Sequence, residues 1–362
     1  MKKLNIAILC GGKSAEHEVS LQSALNIYKA IDKNKFNPIL IGISKSGKWL
    51  LGDDKNFILN PSSSKNIALS ENGDEVVLIP ASQGKFYNII HPEKSFKIDV
   101  IFPMLHGPFG EDGTVQGLLK LAQVPFVGAG VLGSAVGMDK VAMKRLLTEA
   151  QIKIAKYLVV HFLDAKPSFE DVVERMGSPF FVKPANMGSS VGISKVKNAK
   201  QYSESLDKAF QYDLKVLIEE YVKGREIECS VLGFESVAAS LPGEIKPQHD
   251  FYSYEAKYID EDGAILEIPA QISKEKTLEV QALAIKVFEV LFCEGLGRVD
   301  FFLKSNGDLL VNEINTMPGF SKISMYPKLW EASGLSYAEL IDRLIELAIA
   351  RFNKEKKIKT SY

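Results

Sequence analysis

Four polar side chains within Gly297–Gly319, GRVDFFLKSNGDLLVNEINTMPG, carry the first chemical signal: Arg298, Asp300, Glu313 and Asn315. Asn306-Gly307 sits between two apolar runs, VDFFL and LLV, and an Asn-Gly pair suits a two-residue type I′ turn because both positions tolerate positive φ. A two-residue loop there predicts an antiparallel hairpin with Asp300 opposite Glu313 and Arg298 opposite Asn315. Side chains on a strand alternate with period two, so all four fall on one face. Two carboxylates, an amide oxygen and a guanidinium are costly in a core. The oxygens suit a hard divalent cation such as Mg²⁺, which completes its shell with substrate phosphates. A solvated hairpin face with a diagonal Arg–Asp pair accounts for these four residues equally well.

A second stretch, FFVKPANMGSSVGISKV from Phe180 to Val196, reads as strand, glycine-serine loop, strand. Backbone N–H groups and the small hydroxyls of Ser189 and Ser190 can close over an anion, and Lys183 adds a point charge. No Gly-Lys-Ser/Thr opens a helix, so it is not a Walker A loop, and a plain hairpin with a flexible loop is the alternative. An apolar strand, Val216-Leu217-Ile218, runs into EEYVKGRE (Glu219–Glu226) and a second strand, Ile227–Leu232, the pattern of an interdomain hinge. Exposed backbone there can read an adenine edge, and a carboxylate such as Glu226 can hold ribose hydroxyls. His106, Glu111 and Asp112 lie in a glycine-rich loop at a strand's carboxyl end, where open α/β sheets bind ligands. Glu16 lies at the corresponding end of the first strand, although a first-turn helix acid has the same sequence appearance. The aromatic segment PQHDFYSYEAKY, Pro247–Tyr258, has the irregularity of a lid or of an anchored surface loop.

The elements that must position these groups follow from periodicity. Leu4–Cys10 is a buried strand, Gly11-Gly12-Lys13-Ser14 a turn, and Glu18–Ile31 an amphipathic helix, which together suggest a doubly wound α/β unit. The turn lacks the full G-x-G-x-x-G pattern of dinucleotide binders. Pro38–Ile43 and Asp99–Leu105 are further strands, residues 44–97 an elaborated insertion, Thr114–Ala122 a helix and Val124–Val127 a strand. Met138-Asp139-Lys140 opens the helix Val141–Ala150. Ser168–Met176 carries a Ser-x-x-Asp cap and ends at Gly177. Lys274–Phe292 and the capped Ser336–Phe352 are helical, and the basic tail from Asn353 is expected to fray.

Composition narrows the class. With 362 residues, 46% of them hydrophobic, the chain exceeds one ordinary core and predicts two or three domains. A net charge of −1 gives no electrostatic case for nucleic acid or an anionic membrane. Cys10, Cys229 and Cys293 form neither a disulfide framework nor a metal motif, which fits a reducing cytoplasm. The start, MKKLNIAILCGG, is too short and too polar for a signal sequence and no stretch is long enough to span a membrane, so a cytoplasmic protein is expected.

A phosphate loop, an oxygen-ligand hairpin and a hinge between them resemble the ATP-grasp superfamily, and more closely the D-alanine–D-alanine ligases of bacterial cell-wall synthesis. The resemblance rests on GGKSAEHEVS (Gly11–Ser20), HGPFGEDGTVQG (His106–Gly117), GMDK (Gly137–Lys140), VKPANMGSSVGISK (Val182–Lys195), YEAKY (Tyr254–Tyr258), GRVDF (Gly297–Phe301) and NEINTMPG (Asn312–Gly319). These motifs span nearly the whole chain in the family's order. The resemblance implies an α/β multidomain ATP-grasp fold: an N-terminal substrate domain (1–135), a central subdomain with the phosphate loop (136–218) and a C-terminal subdomain with lid and metal hairpin (219–362). It implies that the γ-phosphoryl of ATP passes to the carboxylate of a first D-alanine, and that the amine of a second displaces phosphate.

On the family's pattern Asp300, Glu313 and Asn315 hold two Mg²⁺ ions, for which Mn²⁺ can substitute, and Lys140, Lys183 and Ser190 meet the ATP phosphates. Glu219, Val222, Glu226, Phe251 and Lys257 complete the nucleotide site. Arg298 and the Gly319 N–H steady the tetrahedral oxyanion. Glu16 would take the first D-alanine's ammonium with His106 nearby, and Ser324 the second D-alanine's carboxylate with Met325 facing that pocket. Glu16, Ser189 and Tyr258 match a triad that latches the lid. A homodimer using ATP and D-alanine, with no nucleic-acid or membrane partner, is the expectation. A D-lactate-type or other ATP-grasp carboxylate–amine ligase shares every phosphate residue. Lys257-Tyr258 is intact here, which favours an amine nucleophile, while Met317 and Met325 depart from the common pattern.

Overall fold

The computed structural model describes residues 2–52, 57–63, 66–247, 264–321 and 323–359. Leu4–Gly11 pairs in parallel with Phe36–Ile43 on one side and Val100–Pro103 on the other. Alternation along this first strand sends Ile6, Ile8 and Cys10 into one core with Leu21, Ala24 and Ile27 of the helix His17–Ala30. Ala7 and Leu9 enter a second core with Val115 and Leu119 of the helix Thr114–Leu121. Both faces of the sheet are covered by helices, the doubly wound arrangement expected. The 44–97 insertion extends this sheet to seven strands, adding Trp49–Leu51, Asp74–Leu78, Lys85–Asn88 and Ser95–Lys97 in antiparallel pairings. Residues 124–127, expected as a strand, contribute a single parallel bridge from Phe126 to Ile101.

Two antiparallel sheets follow. The smaller has four strands in the order Tyr157–His161, Lys215–Glu220, Phe180–Pro184 and Ser194–Val196. The larger has six, with Arg225–Gly233 paired to Gly295–Leu303, and Gly295–Leu303 to Leu309–Asn315. Four residues, 221–224, connect the sheets, where the hinge was expected. Val299, Phe301 and Leu303 pack into a core with Val280, Ala284 and Val287 of the helix Lys274–Val290, so the even-numbered residues of that strand face the other way. The capping boxes at Ser168/Asp171 and Ser336/Glu339 both form, and Gly177 ends its helix at φ +77°.

The C-terminal helix corrects one expectation. It runs Tyr337–Glu355, and the start of the tail is held by ion pairs of Lys354 with Glu235 and of Glu355 with Lys120. Its Leu340, Ile341, Leu344 and Ile345 join the core of the first sheet, so the chain's end packs against its beginning.

Candidate functional site

The hairpin forms by two departures that cancel. Lys304 N–H donates to Asp308 O and Gly307 N–H to Lys304 O, both at 2.9 Å, so the loop has three residues, 305–307. Gly307 takes the left-handed position at φ +87° and Asn306 Oδ1 accepts from Asp308 N–H at 3.1 Å. This is the three-residue loop in which one left-handed residue suffices, rather than the type I′ turn expected from Asn-Gly. The one-residue offset is undone by a bulge: Phe301 pairs with Val311 but Asp300 with Glu313, leaving Asn312 as the extra residue. Arg298 therefore lies opposite Asn315 and Asp300 opposite Glu313, all on the face away from the core.

On that face the Arg298 guanidinium grips Asp300 through Nε and Nη2 at 2.7 Å each, and Asn315 Nδ2 donates to Asp300 Oδ2 at 3.0 Å. Glu228, which the motif reading did not single out, lies directly opposite Asp300 on the next strand, and Arg298 Nε stands 2.8 Å from its carboxylate. Alternation in Arg225–Gly233 could have found it, since Glu226 and Glu228 share a face. Among the described residues no group of three or more acids, histidines or cysteines is arranged to hold a metal ion. Asp300, Glu313 and Asn315 nevertheless offer hard oxygen donors in a number that leaves a divalent cation to complete its shell from phosphate and water, so they fit Mg²⁺.

Facing the hairpin is a cavity of about 550 Å³ bounded by the four-stranded sheet, the 221–224 linker and the six-stranded sheet. That is ample for a small-molecule cosubstrate. Lys140, Lys183, Ser189, Ser190, Glu219, Val222, Glu226 and Glu313 all line it, so the dispersed phosphate, hinge and hairpin motifs meet in one place. Lys246, on the strand before the aromatic segment, lines it as well. Nothing in its sequence neighbourhood marks it out. Lys140 begins the helix Lys140–Glu149, whose first turn Asp139 caps, and its Nζ reaches Met187 O at 2.8 Å and Glu313 at 3.3 Å. One ammonium thereby ties the phosphate loop to the hairpin. Ser189 and Ser190 hold φ of +48° and +61°, a left-handed pair that costs about 1–2 kcal/mol per residue.

Lys183 and Lys144 share the Glu219 carboxylate, at 2.9 and 3.0 Å. Burial pushes the Glu219 carboxyl up, but the two ammonium groups outweigh it and hold it below the ordinary value. Burial and the neighbouring Lys183 hold the Lys144 ammonium below its usual value, whereas on Lys183 the pull of Glu219 outweighs burial and raises it.

Glu16 precedes the helix His17–Ala30, is buried, and accepts a hydrogen bond from Ser189 Oγ, so two members of the expected triad meet. The third, Tyr258, lies outside the described residues, as do Phe251 and Lys257. His106 is buried, and its Nδ1–H donates to Met317 O at 3.0 Å, since a carbonyl can only accept. Burial pushes its pKa down to about 4, so the ring is neutral, and Nε2 is a bare acceptor with no partner among the described residues. Glu111 accepts from Gly107 N–H at 2.8 Å and Met317 N–H at 3.0 Å, and burial, then the neighbouring Glu16, pushes its pKa up to about 8. His106 and Glu111 thus clip both polar atoms of Met317 from across 200 residues of sequence, beside Gly319. Gly319 packs on Ser324, whose Oγ accepts from Ser321 N–H at 2.9 Å. Met325 corrects an expectation: its side chain turns into a core with Ile245 and Leu329 rather than into a substrate pocket, because it sits on the inner face of the helix Met325–Ala332. Cys10, Cys229 and Cys293 are buried thiols whose pKa values burial raises, none placed as a nucleophile.

Two antiparallel sheets closing on one cleft behind a doubly wound unit are the ATP-grasp fold. The structure of the D-alanine–D-alanine ligase from Coxiella burnetii matches at a TM-score of 0.86 and 37% identity, covering 99% of this chain and 97% of that one. The VanG D-Ala:D-Ser ligase from Enterococcus faecalis matches at 0.84 and 35%, covering 96% and 100%. Family models described as the D-ala D-ala ligase N-terminus and C-terminus match residues 5–129 and 146–346. The D-alanine–D-alanine ligase of Oceanobacillus iheyensis is 51% identical over 100% of this chain and 99% of its own. The D-alanine–D-alanine ligase A of Escherichia coli (strain K12) is 48% identical over 100% of both. The chain belongs to the D-alanine–D-alanine ligase family.

Proposed function

We infer that this protein joins two D-alanines to D-alanyl-D-alanine at the expense of ATP, for peptidoglycan precursors. The observation that carries the reading is the convergence of the phosphate loop, the hinge and the hairpin carboxylate Glu313 on one cleft, with Glu16 bonded to the phosphate loop through Ser189. In this reading Lys140, Lys183 and the 188–192 loop orient the ATP phosphates, because phosphoryl transfer needs positioning and charge neutralisation above all. Glu219, the 221–224 backbone with Val222, and Glu226 hold adenosine, and Phe251 and Lys257 complete that end. Glu16 takes the first D-alanine's ammonium near His106, leaving its carboxylate to attack the γ-phosphorus and release ADP. The second D-alanine, with its carboxylate at Ser324, loses an ammonium proton and attacks the acyl carbonyl. Arg298 and the Gly319 N–H bind the oxyanion, and collapse expels inorganic phosphate. Asp300, Glu313 and Asn315 would hold Mg²⁺, two ions with Mn²⁺ as a substitute, which when bound neutralises charge on the phosphates. A lid carrying Tyr258, latched by Glu16 and Ser189, excludes water from the acyl phosphate. We assign 1–135, 136–218 and 219–362 as its three domains and place it in the cytoplasm as a homodimer. Among the described residues no helix is long and apolar enough to cross a membrane.

The test is phosphate release from MgATP with D-alanine, the product identified by mass, and L-alanine, D-serine and D-lactate in parallel. D-Ala-D-Ala from D-alanine with little product from L-alanine is expected. A dominant mixed product with D-serine or D-lactate at neutral pH would refute the substrate assignment, and absence of turnover with all four would refute the reaction.

A further inference from the structure

We propose that Lys144 is a positioning residue for nucleotide binding: it keeps Glu219 partnered while Lys183 turns from that carboxylate to a nucleotide phosphate. The inference rests on the reading that Lys183 meets a phosphate in this cleft. Lys144 lies one turn along the helix that Lys140 opens, with 1% of its side chain exposed, and does not line the cavity. Glu219, 3% exposed, sits between Lys144 and Lys183, and only Lys183 and Glu219 of the three face the cavity. The other ammonium at the start of the same helix, Lys140, is already placed between Met187 O and Glu313. The Lys144 ammonium also stands 5.7 Å from the Tyr157 ring centre, a second contact that holds it in place.

With two lysines and one carboxylate the trio carries one net positive charge. A polyphosphate entering the cleft draws Lys183 toward itself. Glu219 is then left with Lys144, a neutral buried pair, and no buried charge is stranded. Without Lys144 the same movement would strand a buried carboxylate, which is strongly unfavourable, so Lys183 would stay with Glu219 and the phosphate would lose its cation. The second lysine looks redundant in the unliganded site. It acts in the liganded one.

The experiment is calorimetric titration of the full-length protein with MgADP and with adenosine, which lacks phosphates, reading the ratio of the two affinities. Lys144→Met keeps length and burial and leaves a neutral Glu219–Lys183 pair. It should weaken ADP about thirtyfold while moving adenosine less than twofold. Lys144→Arg should retain the wild-type ratio. In a Glu219→Gln background, where no carboxylate can be stranded, adding Lys144→Met should leave the ratio unchanged, and this pair of variants keeps the proposal open to refutation even if Lys144→Met by itself does not fold. Equal losses for ADP and adenosine, an unchanged ratio in Lys144→Met, or a fall in the ratio on adding Lys144→Met to Glu219→Gln would overturn the proposal. Lys183→Met reads the underlying assignment separately: a ratio it does not change removes Lys183 from the phosphates, whatever Lys144 does.

Discussion

Adding one methyl group at Gly319 should slow the reaction without weakening nucleotide binding. A Cβ on Gly319 would stand 2.7 Å from Ser324 Oγ and 3.6 Å from Ser324 Cβ. Ordinary contact begins at 3.4 Å, so one side must yield by about 0.7 Å. Ser324 Oγ is held by Ser321 N–H at 2.9 Å and Ser321 Oγ at 2.8 Å, and moving it breaks two hydrogen bonds at about 1 kcal/mol each. On the other side Phe320 is fully buried against Phe102, Tyr326 and Tyr337, and its N–H donates to Ser23 Oγ at 3.2 Å. The strain therefore falls on the peptide whose N–H is assigned to the oxyanion. A displacement approaching 1 Å costs about a hundredfold in rate. Gly319→Ala should lower kcat by roughly thirty- to hundredfold with ADP affinity within about twofold, because Lys140, Lys183 and Glu219 belong to other segments. Ser324→Ala removes the clashing oxygen and leaves the 3.6 Å Cβ contact. The Gly319→Ala/Ser324→Ala double variant should then recover most of kcat while KM for the second D-alanine rises, because Ser324 Oγ is lost. Steady-state phosphate release measures both constants. A kcat within threefold of wild type in Gly319→Ala, or a double variant no faster than the single one, would refute the reasoning.

Acid should destabilise the protein through His106. Its ordinary pKa of 6.5 is pushed down to about 4 by burial, so as pH falls through that window the unfolded chain takes a proton the folded one refuses. About 3 kcal/mol of stability, fully present above pH 6.5, is lost by pH 4. Urea unfolding of His106→Gln should show a shallower acid decline, and an equal slope would assign the loss to other groups. Glu313→Gln removes one anionic donor from the hairpin and the partner of Lys140, so half-saturation by Mg²⁺ should rise about tenfold at fixed ATP; an unchanged Mg²⁺ dependence would take Glu313 out of the metal site. Tyr258→Phe should loosen the lid latch and raise the apparent KM for the second D-alanine with ADP affinity retained, and an unaltered KM would count against the latch.

Much of the fold was legible because it is local. The 168 and 336 capping boxes, the Gly177 stop and the first βα unit depend on residues within a turn or two of one another, and each formed as expected. The hairpin was legible for a subtler reason. Asn306-Gly307 marked the reversal and alternation fixed the faces, although the loop gained a residue and a bulge removed the offset. Burial of Val299, Phe301 and Ile314 on the core side allows one register and forbids a slip, because a one-residue slip would turn Arg298 and Asp300 inward.

By itself, then, the sequence determined the class of fold, the strand–loop–strand phosphate segment, the oxygen face of the hairpin and, through motifs spread along the chain, the family. Tertiary structure alone decided which of those groups meet. Glu111 and His106 reach Met317 across more than 200 residues, Lys144 joins Glu219 and Lys183 from a helix in a different segment, and Lys246 enters the cleft from a strand with no motif of its own. Met325 was misplaced because a residue next to Ser324 can point either way until the helix docks, and docking against Ile245 turns it inward. Periodicity reports which face a side chain takes on its own element. What that face meets is set by sheet pairing and packing between elements far apart in the chain, and no local pattern encodes it.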